Sequence, residues 1–68
     1  MSEKALFISR TSALMGVIRE GRKAGVKDEV IQKHGHAHPV YRRGELIGWN
    51  GYVPVNNTAD WRKAIVEN

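Results

Sequence analysis

Within Val40–Val55, VYRRGELIGWNGYVPV, two turn signals stand six residues apart, Gly44-Glu45 and Asn50-Gly51. A Gly-X pair suits a two-residue type II′ hairpin turn, and Asn-Gly is the strongest type I′ signal a sequence carries. Tight turns this close together leave room only for short antiparallel strands, near 39–43, 46–49 and 52–55. The register follows from the turns. Trp49 is expected opposite Tyr52, Gly48 opposite Val53 and Ile47 opposite Pro54, with Ile47 opposite Arg42 and Gly48 opposite Tyr41 on the other side. Pro54 then falls on an outer strand, where its missing N–H does little harm. One face would collect Val40, Arg42, Ile47, Trp49, Tyr52 and Pro54, and the other Tyr41, Arg43, Leu46, Gly48, Val53 and Val55.

The segments on either side read as helical. Thr11 and Ser12 are good N-cap residues, and Leu14, Val17, Ile18 and Gly21 follow the spacing of one buried stripe, which predicts a helix to Lys23. Gly25 offers a stop. A shorter helix is expected over Asp28–His34, capped by Asp28, with Val30 and Ile31 inward and Gly35 at its end. The two are either a helix–turn–helix or one helix bent at Gly25. Ala5–Ser9, ALFIS, is apolar and too short for periodicity to separate a strand from a helix lead-in, and Met1–Lys4 reads as a loose terminus. A last short helix is expected from Asn57 or Thr58, with Trp61, Ala64 and Ile65 on one stripe and Asp60 in its first turn. The fold class is therefore α+β: an N-terminal helical region, a three-stranded antiparallel meander and a short C-terminal helix, in one domain over residues 1–68.

Such a chain buries only roughly 60% of its unfolded surface. It has no cysteine, so neither a disulfide nor a thiolate metal site is available. Extra stability would come from a nucleic acid, a protein partner or a second copy in a homodimer. No apolar run approaches the length of a membrane span, and the reading is of a cytoplasmic protein with no membrane partner and no cofactor.

The formal charge is +4, unevenly spread: residues 1–43 hold nine Lys or Arg against four acids, and residues 44–68 two against three. The tightest basic run is Arg19–Lys27. Cations at a helix end and the following turn suit phosphates, so Arg19, Arg22, Lys23, Lys27 and Lys33 are candidate contacts. Arg43, beside the first turn, would reach a phosphate as a wing does. Trp49 and Tyr52, paired beside Asn50-Gly51, would stack on bases or enter a groove. The bland readings are a solvated helix face for the basic run and a cross-strand stabilising pair for the two aromatics.

His34, His36 and His38 recur at i, i+2 and i+4. On an extended segment they would share a side and offer imidazoles to zinc or nickel. Gly35 favours a turn, so the expectation is a loop of histidines near a phosphate site, with no metal. No phosphate loop, paired carboxylates or Ser/His/Asp spacing is present, so no enzyme is expected.

The element order is similar, as topology, to a helix–turn–helix with a wing (Met15–His34, then Val40–Val55) and to the double-stranded-RNA-binding fold. Glu20 stands where the first expects an apolar residue, and the lysines that open the last helix of the second are missing. Neither resemblance transfers functional residues. The sequence thus points to a small nucleic-acid-binding protein, duplex DNA favoured, regulatory or accessory, of the size that bacteria, phages and mobile elements encode. The alternative is a protein-binding module or inhibitor docking through its sheet face. A third reading is a small ribonuclease toxin, with His36 or His38 acting near Arg43.

Overall fold

The computed structural model describes residues 6–58 and 62–65. The chain runs α1 (Arg10–Lys23), α2 (Asp28–His34), β1 (His36–Arg42), β2 (Glu45–Pro54) and β3 (Arg62–Ile65). The three strands form one antiparallel sheet in the order β1-β2-β3. The α+β class and the meander are as expected. The strand boundaries and the last element are not.

α1 is capped by Ser9, one turn earlier than Ser12; the Ser9 hydroxyl accepts the Ser12 N–H at 3.1 Å. Its end is a Schellman motif. Gly25 is left-handed at φ 81°, its N–H donates to the Arg22 carbonyl and the Val26 N–H to the Gly21 carbonyl, both at 3.0 Å. The helical region is therefore two helices, and Gly25 is the stop that its position suggested. α2 starts after Lys27, which makes no side-chain cap, so Asp28 is its first residue and not its cap. Gly35 ends α2 without left-handed backbone (φ −77°, ψ 141°) and leads straight into β1. The histidine loop is thus a helix end followed by a strand.

The first turn lies one residue earlier than expected. Arg43 and Gly44 form the two-residue connection, and both have positive φ, 54° and 82°, as a type I′ turn requires. Arg42 therefore pairs with Glu45 and Tyr41 with Leu46, and a bulge leaves Ile47 as the extra residue before Val40 meets Gly48. Neither Gly48 opposite Tyr41 nor Ile47 opposite Arg42 is realised.

Asn50-Gly51 is not a turn at all. β2 runs through it, and Gly51 lacks the positive φ a I′ turn needs. Its missing side chain is used another way: a Cβ there would come within 2.8 Å of Val17 Cγ2 and 3.2 Å of the Ala13 carbonyl oxygen. α1 lies directly on β2 at this point. The pairings of Trp49 with Tyr52, Gly48 with Val53 and Ile47 with Pro54 are replaced by contacts of β2 with β1 and β3, and Trp49 and Tyr52, three apart in one strand, point to opposite faces.

The expected C-terminal helix is corrected over Arg62–Ile65. These residues pair as β3 along Gly51–Pro54, while Asn57 and Thr58 lie in a turn held by the Asn56 carboxamide, which accepts from the Thr58 N–H and hydroxyl. Asp60 and Trp61 lie outside the described residues. Upstream of β3, the same edge of β2 is bridged by Phe7, whose N–H and C=O both bond Trp49, at 3.0 and 2.9 Å.

That bridge fixes which way β2's other groups point. Trp49, Gly51 and Val53 turn their backbone toward Phe7 and β3, and the even-numbered residues turn theirs toward β1. Pro54 is thus on the central strand rather than an outer one, and its missing N–H points past His36, where β1 has not begun. Pro39, opposite Trp49, turns its absent donor to the open edge of β1.

The core lies between the helices and one sheet face: Val17, Val26, Ile31 and Val53, with Phe7 over Gly16. α1 buries Ala13, Gly16, Val17 and Gly21, a stripe turned from the predicted one. Small residues win the sheet side because the backbones approach closely, so Leu14 is half-buried and Met15 and Ile18 are exposed.

Candidate nucleic-acid interface

The α1 contacts orient the molecule. Ala13 and Val17 meet Gly51, and Gly21 meets Val53, so α1 runs with β2 toward Pro54. The α1 C-terminus, the following turn and the start of α2 therefore sit at one end of the long axis. The Arg43-Gly44 turn sits at the other, since Glu45 is about 20 Å back along β2 from Gly51. α1 begins only three residues, or about 4.5 Å, before Ala13, so the outer hairpin stands clear of the helices. The principal-axis extent of 36 Å reflects this.

The sequence-predicted cations divide between the two ends. Arg19, Arg22, Lys23 and Lys27 are exposed at the helical end, with Lys33 exposed on α2. Asp28 and Glu29 stand among them, in the first turn of α2. Asp28 takes both Arg22 Nε and Nη2, at 3.1 and 3.2 Å. These hydrogen bonds first, and the guanidinium charge second, hold the Asp28 carboxyl below its usual range and raise Arg22 in turn. The pair's support is present above the ordinary carboxylate pKa and is lost as pH falls through the lowered one. Both groups are solvent-exposed, so that support is small. Arg22–Asp28 is the sole ion pair among the described residues, so Arg19, Lys23, Lys27 and Lys33 have no acidic partner there.

At the other end, Arg43 occupies the turn and Arg42 the last position of β1, both exposed. Around them stand Tyr41 (62% exposed), Leu46 (50%) and Ile47 (49%), with Tyr41 and Leu46 directly paired. Ile8, 85% exposed, follows the Phe7 bridge on the other edge of β2, and the exposed Arg10 opens α1 nearby. Of this group only Arg43 was a predicted contact. The signal for the others was the I′ turn itself: placed at Arg43-Gly44, it makes Tyr41, Arg42, Leu46 and Ile47 the tip of an arm.

Trp49 and Tyr52 are not brought together. Trp49 is half-buried on the helix-facing side, in register with Phe7 and Pro39. Tyr52 is half-buried on the opposite face, stacked on His36 at 5.4 Å and edge-on to His38 at 4.9 Å between ring centroids. His38 lies opposite Asn50, whose buried carboxamide oxygen has no hydrogen-bond partner among the described residues. Arg43 is about 17 Å beyond His38 along the strand, so the histidines and that arginine do not form one site.

Among the described residues no three His, Cys, Asp or Glu side chains converge as a metal-ligand set, and no helix is long and apolar enough to cross a membrane. No family model, curated protein or solved structure matches the chain.

Proposed function

We propose that this chain is a small nucleic-acid-binding protein that engages duplex DNA through its β1–β2 arm. The observation that carries the reading is the composition of the arm tip: two exposed arginines, with Glu45 opposite Arg42, beside exposed Tyr41, Leu46 and Ile47, and neither described helix over them. A two-stranded ribbon fits the major groove. Apolar side chains on such ribbons also wedge between base steps in the minor groove, while arginines hold phosphates or the groove floor. Arg42 and Arg43 are the contacts. Tyr41, not Trp49 or Tyr52, is the aromatic placed to touch a base.

The alternative, docking on a protein, draws on the same apolar tip, which would serve equally as an anchor in a partner's pocket. One titration separates the two. Fluorescence anisotropy with duplex DNA, duplex RNA and single strands at low salt should show binding, tightest to duplex DNA. Replacing both Arg42 and Arg43 by Ala should weaken it by an order of magnitude or more without unfolding the chain, because both side chains are exposed. Absence of binding tighter than about 100 μM to any of these, where even non-specific DNA binders reach roughly that affinity, ends the nucleic-acid reading and leaves the protein partner.

A further inference from the structure

Because Gly35 passes straight into β1, His36 and His38 stand at i and i+2 on one side of a strand, on the sheet face away from the helices. Their ring centroids are 4.5 Å apart with planes at 67°. The His36 Nδ1 lies 3.2 Å from the His34 carbonyl oxygen. A carbonyl only accepts, so Nδ1 carries the proton and the Nε2 lone pair points elsewhere. This is the arrangement in which a backbone carbonyl fixes the tautomer of a metal-binding imidazole.

The spacing says more. A metal about 2.0–2.1 Å from an imidazole nitrogen lies roughly 3.2 Å from the ring centroid. Two rings with centroids 4.5 Å apart are thus inside the roughly 6.4 Å that one ion can span between them. Imidazole suits copper, nickel and zinc, and affinity rises through Ni(II) to Cu(II), which heads the order. We infer that His36 and His38 form a bis-imidazole site on β1 for one Cu(II) or Ni(II) ion, its other positions open to water or to a ligand from outside the described residues. His34, the last residue of α2, contributes its carbonyl to the tautomer and not its ring to the ion. Tyr52, stacked on His36, holds that ring in place and is not a ligand.

Tag-free protein titrated with Ni(II) at neutral pH by calorimetry should bind one ion per chain, and Cu(II) should bind more tightly. The Cu(II) adduct should show two equivalent nitrogen couplings by electron paramagnetic resonance. His36→Ala and His38→Ala should each weaken Ni(II) binding about tenfold or more, while His34→Ala and Tyr52→Phe retain it. His38 is exposed, so its variant tests the site without touching the core; His36→Asn provides a second, milder change. The melting temperature should rise with Ni(II), because a site formed by the fold binds the native state preferentially. No bound ion, no rise in melting temperature, or a loss in His34→Ala equal to that in His38→Ala would overturn the site. The last result would mark a histidine-rich stretch that binds metal without the strand.

Discussion

Gly51 and Arg43 show how a turn signal and a turn can part company. Asn-Gly signals left-handed backbone because glycine tolerates it, but glycine is also the residue for a close approach, and the two uses look identical in a sequence. Only the position of α1 decides between them. Gly51→Ala is therefore expected to destabilise by about 1–3 kcal/mol through crowding against the buried Val17. In a chain of this size that lowers the melting temperature by roughly 4–8 °C per kcal/mol. A turn position would instead respond to backbone strain. Arg43 is that position, a non-glycine at φ 54°. Arg43→Gly should stabilise by about 0.5–1 kcal/mol, since the left-handed region strains any residue with a Cβ. The same variant should bind DNA more weakly than the wild type. Thermal melts of both variants beside a binding titration of the second check these outcomes; an unchanged affinity in Arg43→Gly would count against the arm.

The helices were legible at their ends, where Gly25 and Gly35 stop them, but not at their starts: Ser9 rather than Thr11 or Ser12 caps α1, and Asp28 is the first residue of α2 rather than its cap. The buried stripe of α1 was not legible, because hydrophobicity favours Leu14 and Ile18 while the sheet selects Ala13, Gly16 and Gly21 for their size. Strand β3 was missed for a related reason. Four residues are too few to carry a period, and what makes Arg62–Ile65 extended is the open edge of β2 that they satisfy. Edges also give Pro39 its meaning. It sits in β1 where its backbone faces solvent, so a residue with an N–H there would complete a row of outward donors. Pro39→Thr is expected to leave the fold intact but to promote edge-to-edge association. Analytical ultracentrifugation should show oligomers growing with concentration in the variant and fewer in the wild type. Monomeric behaviour of the variant at high concentration would show that the edge is protected by something other than proline.

Across the whole molecule, the decisive fact is that two cationic groups lie at opposite ends of a 36 Å axis. The sequence offers Arg19–Lys27 and Arg43 together as phosphate contacts, and nothing short of the orientation of α1 on β2 could have parted them. Salt dependence can count which end is used, because each neutralised phosphate contributes about 0.9 to the slope of log affinity against log salt. The arm end offers Arg42 and Arg43, for a slope near −2 and a loss of roughly tenfold between 50 and 200 mM salt. Engagement along the entire axis would add Arg10, Arg19, Lys23 and Lys27 and deepen the loss to about three orders of magnitude. The helical end is the weaker candidate, since Arg22 is already held by Asp28, whereas Glu45, opposite Arg42, forms no ion pair among the described residues. The expected result is therefore the shallow slope. Arg42→Ala with Arg43→Ala should reduce it by about two, and Lys23→Ala with Lys27→Ala should leave it unchanged. The reverse pattern would move the interface to the helical end and make the arm a docking element for a protein. Equal losses from both pairs would mean that one duplex lies along the whole axis, or that each end holds its own, which sedimentation of bridged duplexes would distinguish.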